Sequence, residues 1–309
     1  MLSTLLSQIV NGLVLGSLVG LIALGYTMVY GIIQLINFAH GEIFMIGAYG
    51  GLAMFSYLLP TFVQHRWYLA LPLLLVAGAV VAAAVALAME RFAYRPLRGA
   101  PRLAPLITAL GVSVALQEMV RVFYPGATAA IPFPEIFVPG ALVIPVGGGV
   151  PVKYSGVLLI VVSLVLAVGL HLFIERSRMG RAMRATAQDP DVARLMGISP
   201  DRVIMLTFAV GGALAGVAGV LYGGFLNNIN IDMGFQNGIF AFTAAVLGGI
   251  GNIRGAVVGG LAIGLVKSLG GQYLPGGSAY DYVWIFVVLI VVLVFRPEGF
   301  FGETERVRA

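Results

Sequence analysis

Long apolar runs separated by short polar stretches dominate the sequence. A run such as 73–89 shows no alternation of apolar and polar positions, so helices are favoured over strands. The runs repeatedly reach the ~20 residues that a helix needs to cross a hydrocarbon layer, where each backbone polar group must find a partner inside its own segment. The pattern predicts nine helical segments, at about 5–34, 43–59, 67–89, 103–123, 155–174, 203–225, 239–251, 255–270 and 282–295.

Two polar breaks interrupt this pattern. The segments 239–251 and 255–270 are short and flank Asn252, so they are expected to be either full crossings or half-helices that turn back within the protein. The stretch from Asn37 to Glu42 follows the first segment and is a second place where the chain could break at membrane depth. We therefore predict an all-α polytopic transmembrane bundle of eight or nine segments, some broken or re-entrant, forming one domain over 1–309.

Composition agrees with a membrane protein. Of 309 residues, 60% are hydrophobic and 10% are charged, and the mean hydropathy is +1.00, an apolar surplus that one soluble core could not bury. The absence of cysteine excludes disulfides and thiolate metal sites. The three histidines, at 40, 65 and 171, form no metal-binding spacing.

Basic residues are concentrated in three polar regions, which predicts the orientation of the chain. Because cytoplasmic loops are enriched in Lys and Arg, these regions are expected to face the cytoplasm, and the segments 124–154, 226–238 and 271–281 to face outward. The N-terminus is then periplasmic, the C-terminus is cytoplasmic, and the net charge of +5 does not indicate nucleic-acid binding. The basic residues are Arg91, Arg95, Arg98 and Arg102, then Arg176, Arg178, Arg181, Arg184, Arg194 and Arg202, then Arg296, Arg306 and Arg308.

Glycines recur at four-residue spacing within the apolar segments. Gly12, Gly16 and Gly20 share one helix face, and so do Gly212 and Gly216. Small residues let helix backbones approach closely in a membrane, where dispersion contacts drive association. We interpret these positions as helix-packing seams, with a moving gate at the seams as the alternative.

The polar stretch 175–202 is long enough to fold locally. Asp189 is a candidate N-cap, Pro190 a first helical residue and Gly197 a helix stop, which together predict a two-turn helix. A further helical turn is predicted over 180–187. Short helices with an apolar ridge and a charged rim suit docking to a soluble partner, but a basic loop lying on lipid headgroups has the same composition.

Several motifs in this chain resemble those of one transporter family. They include GRAMRA at 180–185 with ARLMGI at 193–198, INFAHGE at 36–42, YRPLRG at 94–99, AAVLGGIGNIRGA at 244–256 and FRPEGFFG at 295–302. They occur in order over nearly the whole sequence and resemble LivH-type permeases, the membrane subunits of branched-chain amino acid importers of the ABC class. Related permeases for urea and short amides share much of this pattern, so these solutes are the alternative substrates.

The resemblance implies a type II ABC-importer-like permease in a bacterial inner membrane. Its implied partners are a second, LivM-like permease, two ATPase subunits of the LivG and LivF type, and a periplasmic substrate-binding protein. The chain has no phosphate-binding loop, since neither Lys153 nor Lys267 follows a glycine, so ATP and Mg²⁺ are expected on the ATPase subunits and no cofactor on this chain. The resemblance assigns ATPase coupling to 175–202, with Arg181, Arg184, Asp189, Pro190, Arg194, Leu195 and Gly197 as the coupling residues.

Polar residues at the two breaks are candidates for a solute route. A zwitterion crossing a membrane needs dipoles, hydroxyls or amides along its path. Asn37, His40 and Glu42 at the first break, and Asn252 and Arg254 at the second, are therefore candidate pathway or gate residues. For the stretch from Asn37 to Glu42, capping at a helix start is the alternative role. A stand-alone channel or secondary transporter remains a competing interpretation, whereas no motif supports a membrane enzyme.

Overall fold

The computed structural model describes residues 2–101, 103–137, 140–144, 150–296 and 298–302. Of the residues discussed above, Arg102, Arg306 and Arg308 lie outside this part of the chain. Each of the nine predicted apolar segments coincides with a helix, which confirms the all-α bundle. The helices of the described part are α1 Leu2–Ile33, α2 His40–Ala53, α3 Thr61–Gln64, α4 Trp67–Met89, α5 Leu103–Phe123, α6 Tyr154–Arg176, α7 Arg178–Gln188, α8 Pro190–Leu195, α9 Pro200–Leu226, α10 Met233–Gly248, α11 Ile253–Tyr273 and α12 Asp281–Phe295.

Two small antiparallel ribbons accompany the helices and were not predicted. Strand β1, Ile131–Pro132, pairs with β4, Asn228–Ile229, and strand β2, Ala141–Ile144, pairs with β3, Val150–Lys153. Both ribbons involve the long segment between α5 and α6, and β4 lies between α9 and α10. They therefore join the connecting segments at one end of the bundle.

Within the described residues, seven helical stretches are long and apolar enough to cross a membrane, so the chain is a multi-pass membrane protein. One of them is α11, which has 21 residues and is thus a full-length helix rather than a half-helix. In contrast, α10 has 16 residues and rises only about 24 Å. The seven stretches are Leu2–Ile33, Trp67–Leu97, Leu103–Phe123, Tyr154–Arg176, Pro200–Leu226, Ile253–Tyr273 and Gly277–Phe295.

Helices α1 and α2 form the centre of the bundle. α1 packs against α6, α9, α10 and α11, while α2 is enclosed by α4, α5, α9 and α10. Both helices are apolar on nearly all sides, which suits elements surrounded by other helices. By contrast, most residues of α12 are exposed, as expected for a helix that faces lipid or a partner.

Glycines of α1 form a close antiparallel contact with α11. A Cβ atom added at Gly16 would lie 2.7 Å from Cα of Leu261 and 2.9 Å from the carbonyl oxygen of Gly260. A Cβ atom at Gly12 would lie 3.0 Å from Cα of Leu265, whereas at Gly20 the nearest atoms are 3.7 Å away. Among these three glycines of α1, Gly16 therefore has the least space beside it.

A second glycine seam joins α9 to α4. A Cβ atom at Gly212 would lie 2.9 Å from the carbonyl oxygen of Ala82, and Gly216 faces Gly78 and Ala82 in the same helix. The backbones of α4 and α9 thus touch where both lack large side chains.

The chain turns back into the bundle between α1 and α2. Gln34 has a left-handed backbone, with φ of 52°, and ends α1 by reversing the chain direction. Helix α2 then begins at His40, whose ring fills the space beside Gly25 of α1. Gly25 lies eight residues before the end of α1, a rise of about 12 Å along that helix. The first polar break is therefore enclosed by helices.

Candidate coupling surface and polar breaks

One end of the bundle collects most of the described arginines. Arg95, after α4, pairs with Asp201, at the start of α9, with 2.9 Å between Nη2 and Oδ2. Arg254, at the start of α11, lies 3.3 Å from Nε2 of His171 near the end of α6. We call this the arginine-rich end, and the opposite end, where α5 finishes and α10 begins, the distal end.

Helix α7 is anchored at the arginine-rich end by its buried face. Met183 and Thr186 are buried, and α7 packs against α1, α6 and α9. Gly180 lies directly against the backbone of Ile174, leaving no room for a side chain. Ser177 caps the helix, because its hydroxyl accepts a hydrogen bond from the backbone N–H of Gly180 at 2.8 Å. α7 is thus firmly attached to the membrane helices.

The helix predicted between Asp189 and Gly197 is present as α8. The carboxylate of Asp189 accepts hydrogen bonds from the backbone N–H groups of Asp191 at 2.8 Å and Val192 at 3.0 Å. Gly197 ends the helix with a left-handed φ of 81°, and the next residue donates its N–H to the carbonyl of Ala193. These local signals explain why a six-residue helix forms here.

Helix α8 presents an apolar edge away from the bundle. Ala193 is buried, whereas Leu195 is 86% exposed and Met196 is 77% exposed. Arg194 and Asp191 form an exposed ion pair of 2.9 Å beside them. We call Val192, Leu195 and Met196 the α8 edge. A rigidly attached helix with an apolar edge and a charged rim has the properties of a docking element.

Two arginines of α7 contact the end of α6. Arg184 donates hydrogen bonds to the carbonyl oxygens of Ile174 and Glu175, and Arg181 donates to that of Arg176 at 3.4 Å. The last carbonyls of a helix have no intrahelical partner, and a guanidinium there also complements the helix dipole. These contacts were not predicted from the sequence, and the coupling role that the motif resemblance implies for both arginines stays a prediction.

An ion-pair network that sequence analysis missed connects α4 to α9. Arg98 contacts the carboxylates of both Glu90 and Asp201, and Arg95 binds the same Asp201. Glu90 is buried, with a side chain only 2% exposed, and Arg98 is its ion-pair partner. Asp201 is more than 100 positions away from both arginines in the sequence, so no local pattern reveals its two ion pairs.

The residues of the first break are buried between helices. The Tyr94 hydroxyl donates to Oδ1 of Asn37 at 3.0 Å, and the Ser113 hydroxyl donates to Oε1 of Glu42 at 3.2 Å. Oε2 of Glu42 has no hydrogen-bond partner among the described residues and packs against Gly234. These polar side chains therefore join α2 to the structures that surround it, and their predicted role in a solute route is not decided by this placement.

The residues of the second break lie at the arginine-rich end. Asn252 caps α11, since its Oδ1 accepts hydrogen bonds from the N–H groups of Arg254 at 3.0 Å and Gly255 at 3.1 Å. The Arg254 side chain is 71% exposed and lies 3.8 Å from the Glu175 carboxylate. Asn252 thus caps α11, a role that was not predicted, and the pathway role of both residues remains a prediction.

A segment after α12 completes the turn between α10 and α11. The N–H groups of Phe300 and Phe301 donate to the carbonyls of Leu247 at 2.9 Å and Gly248 at 3.0 Å, the last residues of α10. The Asn252 amide in turn donates to the carbonyl of Phe301 at 3.0 Å. We call 298–302 the strap.

These features define the class of membrane protein to which the chain belongs. Several spanning helices, joined by close contacts between glycines, define a multi-pass α-helical membrane protein. Among the described residues, no group of three or more His, Cys, Asp or Glu side chains could hold a metal ion. The chain belongs to the family described as the permease component of the branched-chain amino acid transport system, whose model matches residues 8–293. The resemblance found in the sequence motifs is therefore confirmed.

Curated relatives match almost the full length of the chain. It is 46% identical to the high-affinity branched-chain amino acid transport system permease protein BraD of Pseudomonas aeruginosa, over 97% of this chain and 96% of that protein. It is 44% identical to the corresponding permease protein LivH of Escherichia coli, over the same shares of 97% and 96%. A more distant likeness, 28% identity over 49% of this chain and 48% of that protein, links it to a probable branched-chain amino acid transport permease protein LivM of Methanocaldococcus jannaschii.

Proposed function

We propose that this chain is the membrane-spanning permease subunit of an ABC importer for leucine, isoleucine and valine. Family membership and the names of the relatives, which match it end to end at 46% and 44% identity, support the substrate class. The chain does not hydrolyse ATP. Its work is to form a route through the membrane that opens alternately to either side.

The observation that carries this proposal is the exposed α8 edge on a firmly attached helix pair. α8 continues from α7, and α7 packs against α1, α6 and α9, so a displacement of α8 acts on three membrane helices together. Apolar side chains as exposed as Leu195 and Met196 gain free energy when a partner groove covers them. We infer that ATPase subunits dock here and that their ATP-driven closure moves α7.

We propose that the other parts of the importer are separate chains. A second permease of the LivM type completes the membrane part, two ATPase subunits bind ATP and Mg²⁺, and a periplasmic binding protein delivers the amino acid. The partial likeness to a LivM protein supports a pair of related permeases. Because basic residues favour the cytoplasmic side, the arginine-rich end faces the cytoplasm of a bacterial inner membrane, and the N-terminus faces the periplasm.

Reconstitution of the complete importer tests the function. Liposomes that contain this chain, the second permease and the ATPases should accumulate radiolabelled leucine only when ATP and the loaded binding protein are both supplied. Accumulation that persists without ATP but collapses with an uncoupler would instead indicate a secondary transporter. Uptake of urea or a short amide, with no uptake of leucine, would contradict the amino acid assignment.

A matched pair of substitutions tests the docking surface. Leu195→Ala removes an apolar side chain of the α8 edge, while Leu103→Ala removes one that is 68% exposed at the same end, on α5. Burying a leucine side chain contributes about 1.5–3 kcal/mol, so Leu195→Ala should weaken ATPase binding roughly tenfold or more. The Leu103→Ala variant should bind the ATPase subunits with the wild-type affinity. Equal ATPase affinity and equal transport per ATP in both variants would exclude the α8 edge as the docking surface.

A further inference from the structure

A polar pocket of 530 Å³ lies at the distal end of the bundle. It forms where the β1–β4 ribbon draws the segment after α5 towards the segment before α10. Its walls include a cation and an anion, Arg121 and Asp232, together with Thr128 and Asn230. Ala129 and Ile231 provide apolar surface. The pocket is thus large enough for a small solute and combines both charges with an aliphatic wall.

Each of the two charged side chains of the pocket contacts a neighbouring side chain of α5. Arg121 pairs with Glu118 one turn earlier on α5, at 3.1 Å. Asp232 accepts a hydrogen bond from the Gln117 amide at 3.1 Å, and the same amide lies 3.4 Å from the carbonyl of Ile231. Within the described chain, Arg121 and Asp232 form no ion pair with each other. Opposite charges therefore face one cavity without neutralising each other directly.

An unpartnered acceptor adds to this arrangement. The Oδ1 atom of Asn230 is buried and has no hydrogen-bond partner among the described residues. A buried acceptor without a partner loses free energy that a bound donor would restore. Asn230 and Asp232 together therefore form an acceptor pair, and the guanidinium of Arg121 is a donor suited to a carboxylate.

We propose that this pocket receives the free α-amino acid, with its carboxylate at Arg121, its ammonium at Asp232 and Asn230, and its aliphatic side chain against Ala129 and Ile231. This inference rests on the proposed import of branched-chain amino acids and assigns their first contact with the permease. The pocket holds the solute at the distal end, which that function makes the periplasmic end, after the binding protein releases it.

A polar stripe on α5 leads from the pocket into the bundle. Ser113, Gln117 and Arg121 are four residues apart, so they share one face of the helix. Gln117 holds Asp232 of the pocket, and Ser113 donates to the buried carboxylate of Glu42. Polar groups aligned inside an otherwise apolar bundle are expected where a polar solute passes. The pocket therefore lies at the outer end of a row of polar side chains on α5 that extends to Glu42 of α2.

The test compares charge removal inside the pocket with charge removal outside it. Arg121→Gln and Asp232→Asn should lower the maximal rate of leucine uptake by at least about tenfold in reconstituted importer saturated with leucine-loaded binding protein. Lys153→Gln and Glu135→Gln remove the same charges from exposed distal positions outside the pocket and should change the rate less than about twofold. Ala129→Phe, which fills the pocket without changing charge, should also lower the rate.

Three measurements keep the outcomes separate. If the wild-type importer is active and Ala129→Phe and both charge variants take up leucine normally, the pocket does not receive the amino acid. The proposed function would remain intact. Failure of the wild-type importer to move leucine would overturn the function itself. Weaker binding of the binding protein to Arg121→Gln and Asp232→Asn, measured by surface plasmon resonance, would show a docking contact and would also overturn the pocket. Unchanged docking with slow uptake supports it.

Discussion

The seam between α1 and α11 gives a sharp prediction, because two glycines of one helix differ in the space beside them. At Gly16 an added Cβ would lie 2.7 Å from Cα of Leu261, whereas carbon atoms pack best at about 3.5–4.0 Å. The helices must therefore separate by about 1 Å to accept Gly16→Ala. At Gly20 the nearest atoms, Cα and the carbonyl oxygen of Val257, are 3.7 Å away, so Gly20→Ala makes ordinary contacts.

The magnitude follows from these distances. Overpacking of a close interface costs about 1–3 kcal/mol, while exchanging Gly for Ala in a helix gains roughly 0.5–1 kcal/mol in both variants. The gain cancels in the comparison, so Gly16→Ala should be about 1–3 kcal/mol less stable than Gly20→Ala. At about 2–4 °C per kcal/mol, its melting temperature should be lower by roughly 2–12 °C.

Thermal unfolding of the two purified variants in the same detergent, followed by size-exclusion chromatography with fluorescence detection, measures this difference. Wild-type protein serves as the reference, and Gly20→Ala is expected to melt at or slightly above it. Equal melting temperatures, or a lower value for Gly20→Ala, would mean that the contact between α1 and α11 is not the close seam described here.

Three further predictions address the ends of the helices and the first break. Arg98→Gln leaves the buried carboxylate of Glu90 unpaired and should lower the free energy of unfolding by about 3 kcal/mol. Arg95→Gln removes a more exposed ion pair and should cost less than ~1 kcal/mol, so equal melting temperatures of the two variants would contradict this prediction. Asn252→Ala removes a helix cap and should cost about 1 kcal/mol, seen as faster hydrogen exchange in the first turn of α11, and unchanged exchange would exclude the capping role. His40→Ala and Glu42→Gln should each reduce leucine uptake in the reconstituted importer, and normal uptake by both would end their proposed part in the solute route.

Sequence alone predicted those features that depend on neighbouring residues. Apolar length located nine of the helices, of which seven belong to stretches long and apolar enough to span a membrane. The order of Asp189, Pro190 and Gly197 predicted α8, because caps and stops act within a few residues. The positions of glycine also marked the helix faces that touch. Each of these signals is local, so one sequence is sufficient to find it.

Features that join distant parts of the chain were not predicted. The sequence does not reveal that Gly16 meets α11 or that Arg98 meets Asp201, since both depend on which helices become neighbours. Of the two alternatives for 255–270, the half-helix is wrong. The helix continues to Tyr273 through polar residues, which made the apolar segment look shorter than the helix α11 that contains it. The distal pocket was not predicted for the same reason. One wall comes from the end of α5 and the residues after it, the other precedes α10, and the helices α6 to α9 separate these two segments in the sequence.

The strap has a consequence for how the protein is made. The carbonyls at the end of α10 obtain hydrogen bonds from Phe300 and Phe301, and Asn252 reaches Phe301 across 49 positions of sequence. While the ribosome is still producing α11 and α12, this corner has no such donors, so it can close only after both helices have been synthesised. In a nascent chain that ends before Phe300, the carbonyls of Leu247 and Gly248 must instead find water or another donor, so the turn between α10 and α11 gains its final hydrogen bonds last.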